Sequence, residues 1–443
     1  MTPFETEQSP EEGEQPAPSS REMYAGQSVA QLLVTAVLVV VAFSAGWFGN
    51  AYANRANVAT GEQTLVLQAW NDINQNYVVT SAINQKKMAY AAINAMVNSL
   101  GDTGHSRFET PEQYAQENTS LSGGSTVGIG VYISGGGSTP LTIEATIPGS
   151  SAAKAGLLPG DQIIAVDGKS VVGMTFDQVH PLIVGKSGTK VTLTIKRTSV
   201  SPPATLNVSL TRAPFTPPNV VSYIIPGLNI ADIQILSFDE SQSTPSVNTD
   251  TQLRVALKAA LAQHVSGIIL DLRDNPGGYL DQAVAVASEF IPAGPNKNVL
   301  IDVTRSTRHV FPVSAGGLAT NLPLVVLVNH GTASAAEIVA GAIAVNRPSV
   351  HVVGVTTFGT GTILLPFQLA DGSVILLGTE EWLLPNGQTI YHKGFTPDQQ
   401  VALPASVAPV SPLAAQEAHL TAQQIRSSGD AQLNKAIQDL TGQ

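Results

Sequence analysis

The chain contains no cysteine in 443 residues. That excludes disulfides, thiolate catalysis and cysteine-based zinc sites. Charge is sparse as well, and the 22 basic against 33 acidic residues leave a net charge of −11. An acidic chain of this kind is no partner for a polyanion, so nucleic acid is excluded. There is no His-Glu-x-x-His pair and no P-loop, and Gly135-Gly136-Gly137 is a hairpin-like glycine run. No metal and no cofactor is expected. No period of 20 to 50 residues repeats, which excludes a solenoid.

What is present begins with an acidic tail. Residues 1–28 are rich in Glu, Pro, Ser and Gln and bury too little apolar surface to fold, so disorder is expected there. Val29 to Phe48 then carries only Gln31, Thr35 and Ser44 as clearly polar residues, close to the ~20 residues that span a bilayer. Trp47 and Tyr52 sit near one end and Tyr24 near the other, as interfacial aromatics do. The expectation is one transmembrane helix over 29–50. Ala51-Tyr52-Ala53 leaves a cleaved signal peptide as the alternative, and Arg21 and Arg55 nearly balance, so charge leaves the orientation open.

The remaining chain divides by pattern. Leu65, Leu67, Trp70, Ile73 and Tyr77, then Met88, Ala92, Met96 and Val97, recur mostly at threes and fours. They predict an N-terminal helical region over 60–120, broken by the turn residues Ser99-Leu100-Gly101-Asp102-Thr103-Gly104-His105-Ser106. Residues 121–214 are β-rich. Val127 to Ile133, Leu141 to Ile147, Gln162 to Val166 and Val191 to Ile195 read as strands, with short helices over Ser151 to Leu157 and Thr175 to Val184. That is a compact module of PDZ size.

Over 215–410, the strands Val265 to Leu272, Leu324 to Val328 and Val350 to Gly354 alternate with the helices Leu280 to Phe290 and Ala335 to Ala344. The order predicts an α/β core, a mixed sheet with flanking helices, whose ligands lie at the carboxyl ends of parallel strands. Residues 411–443 read as a C-terminal helical segment.

The chemistry concentrates at His330-Gly331-Thr332-Ala333-Ser334-Ala335-Ala336-Glu337-Ile338. A buried strand breaks at a glycine, and a serine sits at the mouth of an apolar helix whose dipole favours an anion. Ser334-x-x-Glu337 also fits a capping box. One serine can do both jobs.

In this order the elements resemble the C-terminal processing (tail-specific) serine peptidases, a family with an anchor or signal, a helical region, a PDZ domain and an α/β core. The resemblance runs from about Thr64 to Leu440. It is carried by Ser99 to Asp102, Gly128-Ile129-Gly130-Val131, Ala152 to Asp161, Leu270-Asp271-Leu272-Arg273-Asp274-Asn275-Pro276-Gly277-Gly278, the Ser334 segment, Thr356-Thr357-Phe358-Gly359, and Lys393 to Asp398. It implies that Ser334 is the nucleophile. Ala335 and one of Gly277 and Gly278 would supply the oxyanion donors. Gly128, Ile129, Gly130 and Val131 would form the loop that holds a peptide's terminal carboxylate beside a strand edge. The partners implied are protein or peptide C-termini, reached by an extracytoplasmic body anchored in the membrane.

The sequence departs from the family at the base. A lysine should follow Phe358-Gly359, with a glutamine four residues later; the chain has Thr360 and Leu364, and one extra residue between the Ser334 helix and this turn. A hydroxyl has no useful basicity at neutral pH, and losing general-base catalysis costs about 10²–10⁴ in rate. Lys393 belongs to a segment of its own, His330 ends a strand, and His309, His351 and His392 have no pairing with an aspartate that the sequence can show. The expectation is a membrane-anchored peptidase of weak or absent activity. The alternative is a non-catalytic protein that binds peptides through its PDZ domain.

Overall fold

A computed structural model of the chain describes residues 61–442, apart from 103–104, 123, 199, 242–243 and 405–406. The chain forms two compact units, Met1–Ala89 and Tyr90–Gln443. The described part of the first holds helix α1 (Gly61–Asn76), a 3-10 turn (Thr80–Ala82) and the start of helix α2 (Gln85–Asn98), in keeping with the spacing of their apolar residues. One expectation is corrected. Among the described residues no helix is long and apolar enough to cross a membrane. The segment on which the anchor rested, 29–50, lies outside them, as does the acidic tail, so the membrane location is withdrawn.

The second unit opens with strand β1 (Arg107–Glu109) and helix α3 (Pro111–Leu121). A small module follows: β2 (Thr126–Gly128), β3 (Val131–Gly136), β4 (Thr139–Thr146), α4 (Ser151–Lys154), β5 (Gln162–Val166), β6 (Lys169–Ser170), α5 (Phe176–Ile183), β7 (Lys190–Arg197), β8 (Ala204–Thr211) and β9 (Ala213–Phe215). Its sheet runs β3-β4-β5-β7-β8 with β6 on β5. Alternate residues such as Val191, Leu193 and Ile195 face a core shared with Ile143 and Val179. The run Val127 to Ile133, expected as one strand, is two. Gly130 takes a φ of +76°, and a Cβ there would lie 2.2 Å from Ser150 Cβ. The chain therefore turns, so that β2 pairs with β9 while β3 becomes an edge of the module's sheet.

The core contains β10 (Val220–Ile225), β11 (Ile230–Ile235), α6 (Thr249–Ala262), β12 (Gly267–Asp271), α7 (Leu280–Phe290), β13 (Asn298–Val303), β14 (Arg308–Pro312), β15 (Leu324–Val328), α8 (Ala335–Asn346), β16 (His351–Gly354), β17 (Thr362–Gln368), β18 (Val374–Leu383) and β19 (Gln399–Gln400). It closes with α9 (Pro412–Glu417), α10 (Ala422–Ser427) and α11 (Ala431–Thr441). The central sheet is ordered β10-β11-β12-β15-β16-β19 and is parallel throughout except for β10. Strands β12 and β15 are buried along their whole length, which is why they read as unbroken apolar runs. Ile268, Leu270, Val326 and Val328 pack with residues of α6, α7 and α8. Ile269, Val325, Leu327 and Val353 pack on the other face with Ile425, Leu433 and Ile437.

A second, antiparallel sheet, β1-β18-β13-β14 with β17 on β18, has no counterpart in the sequence reading. Several of its strands are largely accessible and lack a clean apolar alternation.

Candidate active site

Strands β12 and β15 are parallel neighbours, and the turns beyond their carboxyl ends are sewn together. Thr332 Oγ1 donates to the Leu272 carbonyl at 2.8 Å, and the Ala333 N–H donates to the Asn275 carbonyl at 2.9 Å. Asn329 Oδ1 accepts from the Asp274 N–H at 2.9 Å, while Asn275 Nδ2 donates to the Ile235 carbonyl at 2.7 Å. Beneath them Arg273, fully buried, donates to Asp271 at 2.7 Å and to Asp430 at 2.8 Å, tying α11 to the same turn. Two separate loops thus become one rigid platform.

Ser334 stands on that platform with φ 53° and ψ −119°. A side chain other than glycine held at positive φ costs of order 1–3 kcal/mol and persists only where the surroundings impose it. Here the surroundings are Glu337, which is inaccessible to solvent. Its carboxylate accepts from Thr357 Oγ1 at 2.5 Å, from the N–H of Gly359 at 2.7 Å and of Thr360 at 2.9 Å, and from the N–H of Ser334 at 3.0 Å. Burial pushes the Glu337 carboxyl above its ordinary range, and these donors pull it partly back. Of the expected capping box, the glutamate half is formed. The Ser334 hydroxyl leans toward the third helical amide without making a hydrogen bond of normal geometry.

Gly277 and Gly278 sit against the serine with φ of +102° and +141°. A Cβ on Gly277 would lie 2.6 Å from Ser334 Cβ and 3.0 Å from the Ala335 nitrogen. The Gly277 N–H is already engaged, donating to Asn275 Oδ1 at 2.8 Å. Those of Gly278 and Ala335 make no hydrogen bond among the described residues, and both residues line a cleft of about 1120 Å³ beside Ser334.

Thr360 and Leu364, the positions expected for the base and its partner, line the same cleft. Thr360 Oγ1 accepts the Ser334 N–H at 3.0 Å. Lys393 and His330 are both exposed and outside the lining.

A residue read only as part of a turn proves to belong here. His105 is buried in the cleft wall, its ring stacked 5.5 Å from that of His392 and tilted against that of Phe358 at 5.2 Å. Asp102 Oδ1 lies 3.3 Å from His105 Nδ1, a contact that falls short of a formed hydrogen bond. Burial holds the imidazole below the ordinary histidine range, with Asp102 acting in the opposite sense and His392 adding to the burial. The Asp102-x-x-His105 spacing was a visible signal. What it lacked was the pairing of β1 with β18 that brings the turn to the cleft.

Gly128, Ile129, Gly130 and Val131 lie together at the start of the module's sheet. The Ile129 carbonyl accepts the Ala152 N–H at 2.9 Å, and that of Gly130 accepts the Ile147 N–H at 3.0 Å. Among the described residues, strand β3 is paired on one side only, by β4. Gly137 donates its N–H to the Met174 carbonyl at 2.9 Å, which brings the far end of β3 to the start of α5.

Residues 229–401 match Peptidase family S41, and residues 142–197 match a PDZ domain. The chain is 34% identical over 377 residues to the carboxy-terminal processing protease CtpA of Bacillus subtilis, covering 84% of this chain and 76% of that one. The chain belongs to the carboxy-terminal processing serine proteases of family S41. A carboxyl-terminal-processing protease of Synechocystis is 32% identical over 403 residues, 86% of this chain and 88% of the other. Among solved structures, an S41 protease described as putative, from Bacteroides fragilis, shares the fold with a TM-score of 0.56 at 18% identity, covering 84% of this chain and 96% of that one. The S41 match takes in Ser334, Thr360 and Leu364.

Proposed function

We propose that this S41 protein is a working serine endopeptidase that cuts near the C-termini of other polypeptides, after its PDZ module has captured the terminal carboxylate. The observation that carries the reading is the backbone of Ser334, held at φ 53° beside two unengaged N–H groups. A binding protein has no use for that strain, whereas a nucleophile does.

In this reading Ser334 Oγ attacks the scissile carbonyl, and the developing oxyanion accepts from the N–H groups of Gly278 and Ala335. Gly277 keeps the approach open by having no side chain. The free edge of β3 adds the substrate as a further strand, and the Gly128–Val131 loop receives its carboxylate. The second reading, a peptide-binding pseudo-peptidase, is favoured by Thr360 and Leu364 on the cleft wall.

The two part in one experiment. The full chain is incubated with an unstructured polypeptide bearing a free C-terminus, and products are read by mass spectrometry against Ser334→Ala. Cleavage by the parent and none by the variant supports the peptidase. Binding without cleavage by either supports the pseudo-peptidase.

A further inference from the structure

We propose that His105, steadied by Asp102, takes the proton of Ser334 in place of the absent lysine. The inference rests on the peptidase reading above and names the group that completes it.

Three observations point to His105. It shares the cleft lining with Ser334, Gly278 and Thr360. Its ring is confined by those of His392, Phe358 and Tyr391. Phe358, against which it packs, is fixed to the serine's own turn, since the Phe358 N–H donates to the Thr332 carbonyl at 3.0 Å. Its Nδ1 is buried 3.3 Å from Asp102 Oδ1 and has no hydrogen-bond partner among the described residues.

Asp102 is itself pinned. Oδ2 accepts from the Ser106 hydroxyl at 2.5 Å and the Ser106 N–H at 3.1 Å, and Oδ1 accepts from the Tyr391 hydroxyl at 2.9 Å. Burial raises the Asp102 carboxyl, but these bonds together outweigh it and hold the group below its ordinary range, so it is an anion at neutral pH. An anion beside Nδ1 favours the tautomer with its proton there, leaving Nε2 as the acceptor. The titratable groups facing the ring are Asp102, His392 and Tyr391.

The step balances without any further reactant. The Ser334 O–H bond breaks, and its proton passes to His105 Nε2, directly or across one water. The Oγ–carbon bond forms, and the carbonyl pair moves onto oxygen, facing Gly278 and Ala335. The proton then goes from Nε2 to the leaving amine as the peptide C–N bond breaks. A water deacylates Ser334 by the same route in reverse.

The test is the rate at which a fluorophosphonate labels Ser334 in the full chain. His105→Gln is expected to slow labelling about 10²- to 10⁴-fold, with its thermal melt retained. Added imidazole should partly restore labelling of His105→Gly. In the parent the rate should rise with pH in one step below the ordinary histidine range, a step missing from His105→Gln. Labelling of folded His105→Gln within threefold of the parent overturns the proposal and leaves the peptidase standing. If His105→Gln does not fold, the parent's pH profile decides, and a profile without that step overturns it. A parent whose Ser334 is never labelled removes the peptidase reading itself, and this inference with it.

Discussion

The backbone N–H of Ser334 donates to the hydroxyl of Thr360 at 3.0 Å. Where the family resemblance calls for a proton acceptor, the chain has a clamp on the nucleophile's own main chain. Glu337 shares the work, accepting from the N–H of both residues. Thr360 thus helps hold the serine in its strained conformation.

Thr360→Val separates the two roles. Loss of one buried hydrogen bond is expected to cost about 1 kcal/mol of stability, and Ser334 labelling should slow by less than tenfold. Thermal melts and labelling rates check it; a loss of a hundredfold or more would mean the hydroxyl takes part in proton transfer.

Glu337→Gln should be far more damaging. An amide in place of the carboxylate turns one acceptor oxygen into a donor that faces the same N–H groups, leaving them unpaired in the interior. A loss of about 2–4 kcal/mol is expected, with Ser334 labelling abolished. Near-wild-type melting and labelling would show that the turns hold themselves.

Gly277→Ala tests the close approach. The added Cβ would meet Ser334 Cβ at 2.6 Å and the Ala333 carbonyl at 3.0 Å, at a φ of +102°. Peptide cleavage is expected to disappear while peptide binding to the PDZ module survives, as read by fluorescence anisotropy. Gly130→Val should do the reverse, because its Cβ would strike Ser150 at 2.2 Å in the carboxylate loop. At least a tenfold loss of affinity for a peptide with a free C-terminus is expected, with Ser334 labelling intact.

Stability should carry a pH signature from Asp232. This residue on β11 is buried near Asp271, Arg273 and Asp430, with its Oδ1 unpartnered. Burial, then the Asp271 charge, raises its carboxyl well above the ordinary aspartate value of 3.8. The folded state therefore keeps a proton that the unfolded state releases. The associated stability is present below pH 3.8 and is lost as pH rises through the folded value. Asp232→Asn, which cannot ionise, should match the parent near pH 4 and melt increasingly above it toward pH 8. Parallel melting curves across that range would contradict the assignment.

Much of this was legible in the residues because it is local or strongly periodic. The buried strand Leu324–Val328, the helix Leu280–Phe290 and the break before Ser334 all declare themselves in short windows. The helix over Thr175 to Val184 is as short and local, and the structure forms it over Phe176–Ile183. What stayed hidden depends on pairing between distant segments. The antiparallel sheet that joins Arg107 to Leu376 brings a turn nearly 230 residues upstream of Ser334 into its cleft. Without that pairing, His105 is one histidine among eight. The break at Gly130 was missed because a glycine within an apolar run does not announce its φ.

The most direct measurement is the intact mass of the full chain after exposure to a fluorophosphonate, followed by peptide mapping. A single adduct located on Ser334 and absent from Ser334→Ala is the predicted result. A chain that keeps its mass while a control serine peptidase in the same tube is fully modified would contradict the claim that this serine is a living nucleophile.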